Sequence, residues 1–246
     1  MSIRQPAGRA LGFRSAWVLL ALSLVVLASG CAQTRSAGPE VTLDRPAGAV
    51  LLMPADVELS VLTAGGLEEP HAEWTETGRQ NVVAALKDEM AERNIKTVSY
   101  GDDSDASYQI AADDEQLVKL HEAVGSSIML HKYVPGFALP TKRERFDWTL
   151  GDGVQSLRDG HDADYALFVH ARDSFSSDGR VAMNIVLAIL PGVAPQGGRQ
   201  LAFASLVDLN SGEVVWFNVL QSTAGDLRDP KQAREAMSHL LDSSPL

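Results

Sequence analysis

The spacing of apolar positions changes from one stretch of the chain to the next, and each spacing predicts an element. Residues 48–53, Gly-Ala-Val-Leu-Leu-Met, form a continuous apolar run closed by Pro54, which predicts a strand buried on both faces. Residues 57–63 alternate apolar with polar and predict a half-exposed strand, ended by Gly65 and Gly66. Over 73–93 the period lengthens to that of a helix. Val82, Leu86 and Met90 share one face with Val83 beside them, and Lys87, Asp88, Glu89 and Glu92 are expected mostly on the solvent side. Asn94 suits a left-handed stop, and a short strand over 96–100 follows. A second helix is predicted over 113–131, with Asp113 and Gln116 at capping-box spacing and Leu117, Leu120, Val124 and Ile128 as its apolar stripe. His121 lies on or beside that stripe and is expected to be a packed core residue rather than a ligand. Pro135, Gly136 and Pro140 make 134–147 a loop, and 148–159 reads as a third, short helix.

The second half of the chain is more apolar. Residues 165–169 should be a central strand, turning polar at His170, Arg172, Asp173 and Ser174. Residues 181–190 are apolar almost all round, yet too short to cross a bilayer as a helix. A buried helix or strand is expected there, the alternative being an apolar insertion that docks on a partner subunit or dips into a membrane surface. Residues 201–209 and 213–222 form a hairpin, joined by Asn210-Ser211-Gly212 in a type I turn that Gly212 closes in the left-handed region. Its strands are apolar on both faces, as at Phe203, Leu206, Val207, Val214, Val215, Trp216 and Phe217, so the sheet should be covered on two sides or lie against a partner. Asp229 caps the last helix, Pro230 takes its first turn, Gln232 stands at the capping-box place, and Ala233, Met237, Leu240 and Leu241 face the core. The order is strand, strand, helix, strand, helix, helix, strand, apolar insertion, hairpin, helix. That predicts an α/β (α+β) fold: a single mixed β-sheet domain with flanking helices and a C-terminal β-hairpin plus helix.

The N-terminus follows another rule. Arg4, Arg9 and Arg14 lie in a stretch without acids, ahead of the apolar run 16–27. Such a run makes a helix of about 18 Å, short of a hydrocarbon core of about 30 Å. A basic start, a short apolar middle and small residues describe a secretory signal peptide. Leu27-Ala28-Ser29-Gly30-Cys31 then resembles the lipobox of bacterial lipoproteins. The resemblance implies cleavage before Cys31, a diacylglycerol thioether on its sulfur, and an acylated N-terminus. Ala32 rather than Asp follows, which under the enterobacterial sorting rule implies the outer membrane, periplasmic face. Residues 1–30 are thus expected to be a lipoprotein signal peptide, 31–47 a lipidated tether and 48–246 a periplasmic α/β domain. A flexible tether of that length spans roughly 20–25 Å root-mean-square.

Charge narrows the partners. Loss of 1–30 removes three Arg and no acid, leaving 18 basic against 32 acidic residues, a net charge of −14. Such a surface repels nucleic acid and anionic headgroups. Acylation of Cys31, the sole cysteine, leaves no thiol for a disulfide, a thiolate metal site or a nucleophile. Lys142, Arg143 and Arg145 are the dense basic cluster of this acidic chain. They are expected to be a solvated loop, the functional alternative being contact with an acidic partner or the cell-wall polymer.

Candidate chemistry is sparse. Asp102, Asp103 and Asp105 invite a calcium reading, but counting from Asp103 the sixth and twelfth places hold Tyr108 and Asp114 instead of Gly and Glu. His161, His170, nearby acids and serines suggest a metal site or a hydrolytic triad. A triad needs base and nucleophile within reach, and along a strand His170, Arg172 and Ser174 share one face while Asp173 points the other way. The sequence has no G-x-S-x-G, S-x-x-K or H-E-x-x-H. No catalytic residue, metal or cofactor is expected beyond the covalent lipid on Cys31.

Two stretches carry a wider resemblance: Asp164-Tyr165-Ala166-Leu167, entering the central strand, and Ser205-Leu206-Val207-Asp208-Leu209-Asn210-Ser211-Gly212-Glu213-Val214-Val215-Trp216. The second is similar to a hairpin common in periplasmic lipoprotein domains, with Ser211 where Thr is usual. That group includes the curli-secretion channel lipoprotein, the penicillin-binding-protein activator lipoproteins and the N-terminal domain of the Tol-system propeller protein. The chain also resembles uncharacterised proteobacterial lipoproteins. The resemblance implies action by binding: forming pores, recruiting partners or activating wall synthases. The channel subfamily inserts long amphipathic hairpins, and 179–199 lacks the ten-residue alternation these need. The expected function is a non-enzymatic binding, accessory or assembly protein of the cell envelope, with Lys142, Arg143, Arg145, Ile185 and Leu187 as partner contacts. The alternatives are a self-assembling ring or secretion-channel component, and an envelope hydrolase using His170 or His161.

Overall fold

One strand, β6 (Tyr165–Ser176), is long enough to hold two others end to end along one edge. This computed structural model describes residues 33–37, 48–101, 110–142, 145–187 and 197–246. The chain divides after Cys31 into two units, and all described residues belong to the second, Ala32–Leu246. Beside β6 lie β2 (Val50–Leu52) and β3 (Asp56–Leu62), both parallel to it. Pro54 stands in the break between them, where a residue without an N–H cannot continue the ladder. β4 (Glu68–Pro70) pairs antiparallel with β3, and β5 (Thr97–Ser99) parallel with β2. On the other edge of β6, β7 (Gln200–Asp208), β8 (Val214–Ser222) and β1 (Gln33–Ala37) follow in antiparallel order. The result is a single mixed sheet, as the residue pattern predicts, with β1 and β4 added to the six expected strands to make eight.

Helices cover both faces. α1 (Ala72–Glu92) and α5 (Pro230–Leu241) pack Val82, Leu86, Met90, Met237 and Leu240 against Leu167, Val169, Ala204 and Leu206. α2 (Ala112–Ile128) and α3 (Gln155–His161) pack Leu117, Ile128 and Leu157 against Ala166, Phe168, Phe203 and Phe217. Successive β6 residues therefore feed opposite clusters, the period-two alternation of a sheet buried twice over. Both clusters are drawn from residues 49–246, so this unit carries its own core. The last strands turn as expected: Gly212 has φ 74°, and the Asp208 carboxylate accepts from the Asn210 and Ser211 amides. Asn94 takes the left-handed conformation (φ 58°), and Asp229 accepts from the Gln232 amide at 2.9 Å.

Several expectations are corrected. Part of the expected tether is β1, hydrogen-bonded along β8. α2 has no capping box: Ala111 stands at its N-cap, and the first turn holds Asp113, Asp114 and Glu115, whose charge suits the positive helix end. Its inward stripe is Leu117, Val118, His121, Gly125 and Ile128, and Leu120 is exposed. Glu89 is buried and paired with Arg93 at 3.3 Å, which relieves a charge that would otherwise be stranded. Thr149 bridges Glu213 before Gly151, at φ 74°, turns the chain, so the third helix begins only after a 3₁₀ turn at Asp152–Val154. The apolar stretch expected in the core is instead an exposed helix, α4 (Asp178–Leu187), none of whose residues is buried. Among the described residues no helix is long and apolar enough to cross a membrane.

Gly125 is where α2 meets the aromatic layer. A Cβ there would collide with the Phe203 ring, which is fully buried and has His170 stacked on it at 4.5 Å. Overpacking of this kind costs about 1–3 kcal/mol. Gly125→Ala is expected to lower the stability of residues 32–246 by that amount in urea unfolding, with the far-ultraviolet dichroism of the folded state unchanged.

Candidate functional site

Between α2 and the sheet, six polar side chains meet where a helical layer would ordinarily bury only apolar ones. His121, on α2, shares a hydrogen bond of 2.9 Å between its Nε2 and Ser205 Oγ of β7. Its ring lies 5.1 Å from that of Phe168. Burial pushes the His121 imidazole down to about 3, His170 nearby adds to that, and Asp56 opposes it. The ring is therefore neutral, and the expectation of a packed core histidine holds. A second knot lies along β6. Register sets His170 opposite Asp56, and the His170 Nδ1–H donates to Asp56 Oδ2 at 3.2 Å. Arg172 donates from one guanidinium nitrogen to Asp56 Oδ1 at 3.0 Å and from the other to Oδ2 at 3.3 Å, and also reaches Glu122 at 3.6 Å. Burial pushes the Asp56 carboxyl up, but the His170 and Arg172 hydrogen bonds, with their charge, outweigh it and hold it well below the usual carboxylate range.

Ligand atoms of Asp56, Glu122 and His170 lie within 4.8 Å of one another, the spacing of a metal site. The guanidinium of Arg172 already bonds both Asp56 oxygens and faces Glu122, so a dication would have to displace it from both carboxylates. As built, the knot is an internal charge network. His170 and Ser205 belong to separate hydrogen bonds, so no base stands between an acid and a hydroxyl as a triad requires. His161, at the end of α3, sits 5.0 Å from the Tyr100 ring, away from His170. Sequence reasoning put His170 and Arg172 on one face but missed Asp56 and Glu122. The parallel register of β3 with β6 brings in Asp56 and the packing of α2 brings in Glu122, and no spacing along the chain encodes either.

On the opposite face of β6, Asp173 is 2 % exposed and accepts from the Leu227 amide at 3.1 Å and from Gln200 Nε2 at 3.3 Å. Burial pushes its carboxyl up to about 6 against the pull of those two donors. It borders a cleft of about 150 Å³ lined also by Ser174, Gly198, Arg199 and Gly225.

The sequence-predicted contact residues lie far apart. Lys142 closes a 3₁₀ turn and pairs with Asp147 at 2.9 Å, its ammonium 4.7 Å above the Trp148 ring. Arg145 reaches Asp147 at 3.4 Å and stays exposed. Trp148 accepts at its carbonyl from the Val214 amide, which fixes this basic loop beside the β7–β8 turn. Ile185 and Leu187 stand on α4, beyond the other end of β6. The nine residues of β7 separate the two ends of the sheet by roughly 27 Å. Ile185 is 64 % exposed and Leu187 half-buried. Cys31, Arg143, Asp102, Asp103, Asp105 and 188–190 lie outside the described residues. Missed in the sequence was a second apolar patch: Leu130, Val134 and Phe137 are exposed just before the basic loop. The run Tyr133-Val134-Pro135-Gly136-Phe137, apolar residues inside a turn-forming stretch, is the signal that marks it.

No family model and no curated protein matches the chain. Among the solved structures similar to it are two PelC dodecamers from Paraburkholderia phytofirmans. One, a point variant, is 12% identical at a TM-score of 0.38, over 88% of this chain and 98% of that one. The other is 10% identical at 0.36, over 85% and 97%. At these scores the likeness decides neither fold nor function.

The raised Asp173 has a definite sign. Its folded value, about 6, exceeds the ordinary 3.8, so the folded state holds the extra proton between them and stability falls as pH rises through that window. His121 acts oppositely: stability is lost as pH falls from about 6.5 toward 3. Asp173→Asn keeps an acceptor for the Leu227 amide and removes the first slope. Urea unfolding at pH 4 and pH 7 is expected to show the variant gaining on the parent at the higher pH. An unchanged difference at both would refute the raised carboxyl.

Proposed function

We propose that this chain is an outer-membrane lipoprotein, anchored through Cys31 and facing the periplasm, that works by binding a partner rather than by catalysis. The anchor reading rests on the lipobox-like Leu27-Ala28-Ser29-Gly30-Cys31, and the class on the resemblance of residues 205–216 to the hairpin of periplasmic lipoprotein domains. One observation carries the binding reading. In a chain of formal charge −11, exposed Leu130, Val134 and Phe137 stand immediately before Lys142 and Arg145. Phe137 is tied in place, its carbonyl accepting from His131 at 2.6 Å while the His131 ring stacks 6.3 Å from Trp148. An apolar anchor beside positive charge suits an acidic periplasmic protein with an apolar pocket. The polar residues that invite a catalytic reading instead spend their hydrogen bonds on one another.

A photo-crosslinking side chain at Phe137 in intact cells is expected to give a discrete protein adduct. Lys142→Glu with Arg145→Glu should weaken it about tenfold, the scale on which like-charge contacts suppress association. No adduct, or one indifferent to the charge reversal, would exclude this surface. An adduct at twice the chain's mass would make the partner a second copy. Separately, Cys31→Ser is expected to move the protein from the membrane fraction to the soluble periplasm. Unchanged fractionation would overturn the anchor.

A further inference from the structure

We infer that the apolar face of α4 lies in the lipid headgroup region as a second membrane contact beside the N-terminal anchor. This rests on the anchor reading above. Sheet register supplies the geometry. One row of paired residues crosses the sheet from Gln33 through Gln221, Leu201 and Arg172 to Glu58. β1 starts at Gln33 and runs antiparallel to β8, so the preceding chain is delivered at the end of the sheet where β8 finishes. β6 runs toward the same end, and α4 follows it directly.

The helix itself is built to be covered. Val181, Ala182, Ile185 and Val186 fall at positions i, i+1, i+4 and i+5, one continuous face, and all four are exposed. Arg180, Asn184 and Leu187 are half-buried on the side toward the domain. The turn after β3 extends the patch. Leu67, 69 % exposed, belongs to a turn held by the Leu67 amide on Thr63 Oγ1 at 3.1 Å, and Arg180 donates to Ala64 of that turn at 3.5 Å. The diacylglycerol and N-acyl chains that the lipobox resemblance implies are enough to hold the chain at the bilayer. They keep the apolar face of α4, at the same end of the sheet, beside a surface in which it buries its side chains. α4 carries only Asp178 and Arg180 as charges, so the contact is apolar and indifferent to salt. With α4 at the membrane, the basic loop beside the β7–β8 turn points away from it.

The test replaces the lipid with a neutral tether. Residues 32–246, which hold their own core, carry an N-terminal oligohistidine tag and dock on phosphatidylcholine vesicles containing nickel-chelating lipid. Cys31 is the only cysteine of the chain and falls outside this segment, so Ile185→Cys accepts a polarity-sensitive dye at one place. Brominated acyl chains are expected to quench that dye several-fold more than the same dye on Phe137→Cys, in low and in molar salt alike. Val181→Asp with Val186→Asp, both on the exposed face, should abolish the difference. Equal quenching at the two sites, or quenching only at low salt, would overturn the inference. A dye already buried before vesicles are added would overturn it too, making the occupant a second copy. Because the tag stands in for the anchor, failure of the Cys31 reading shows separately in the Cys31→Ser fractionation.

Discussion

Everything in this domain hangs on how the edge of β6 is shared. Two short strands, β2 and β3, lie along it in succession, and Pro54 interrupts them. An interruption in a parallel pair is a weak point, because the ladder loses donors where the chain needs alignment most. Two contacts hold the joint. The Met53 amide donates to the Leu167 carbonyl at 3.1 Å before the break, and the Asp56 carboxylate binds His170 and Arg172 after it. Removing charges from water is costly, and a buried pair repays that cost only when its hydrogen bonds are complete. Here both carboxylate oxygens are engaged. Such a knot admits one register: sliding β3 by one residue would turn Asp56 to the opposite face and leave His170 and Arg172 without their acceptor.

The two faces of the sheet solve different packing problems. Toward α1 and α5 the layer is aliphatic and small, with Ala171, Ala202 and Ala204 letting the helices sit close. Toward α2 it is aromatic: Phe168, Phe203 and Phe217 with His121 and His170 among them. Rings of that size leave no room for side chains above them, and α2 presents Gly125 there. Polar atoms in such a layer must find partners inside it, because water is excluded. His121 does so with Ser205, and remaining neutral spares the layer the cost of a buried charge.

How much of this was legible follows from which interactions are local. The hairpin turn, the Asp229 cap and the stop at Asn94 depend on a few neighbouring residues, and the sequence reads them correctly. The fold class follows from the alternation of periods along the chain. The α2 stripe was misplaced because Leu120 and Val118 fit helical spacing about equally well, and the aromatic layer beneath decides between them. β1 was illegible because Gln33-Thr34-Arg35-Ser36-Ala37 is polar and its pairing is supplied by β8. α4 was misread for the opposite reason: hydropathy measures what a residue prefers, whereas burial depends on whether the fold supplies a cover. The Asp56 network needed two residues 114 positions apart, a distance no local pattern spans.

Strand direction then connects architecture to function. In a purely parallel sheet all strands would finish at one end. Here β8 runs against β7 and β1 against β8, so the N-terminal strand begins where β6 and β8 finish, and the β7–β8 turn occupies the far end. The two exposed apolar patches sort to these ends, α4 with Leu67 at one and Phe137 with the basic loop toward the other. Neither patch contributes to the core clusters, so sequence change at either end is free of the packing constraints between them. Apolar surface left outside the core has a cost in solubility, which the mutual repulsion of so acidic a chain partly offsets.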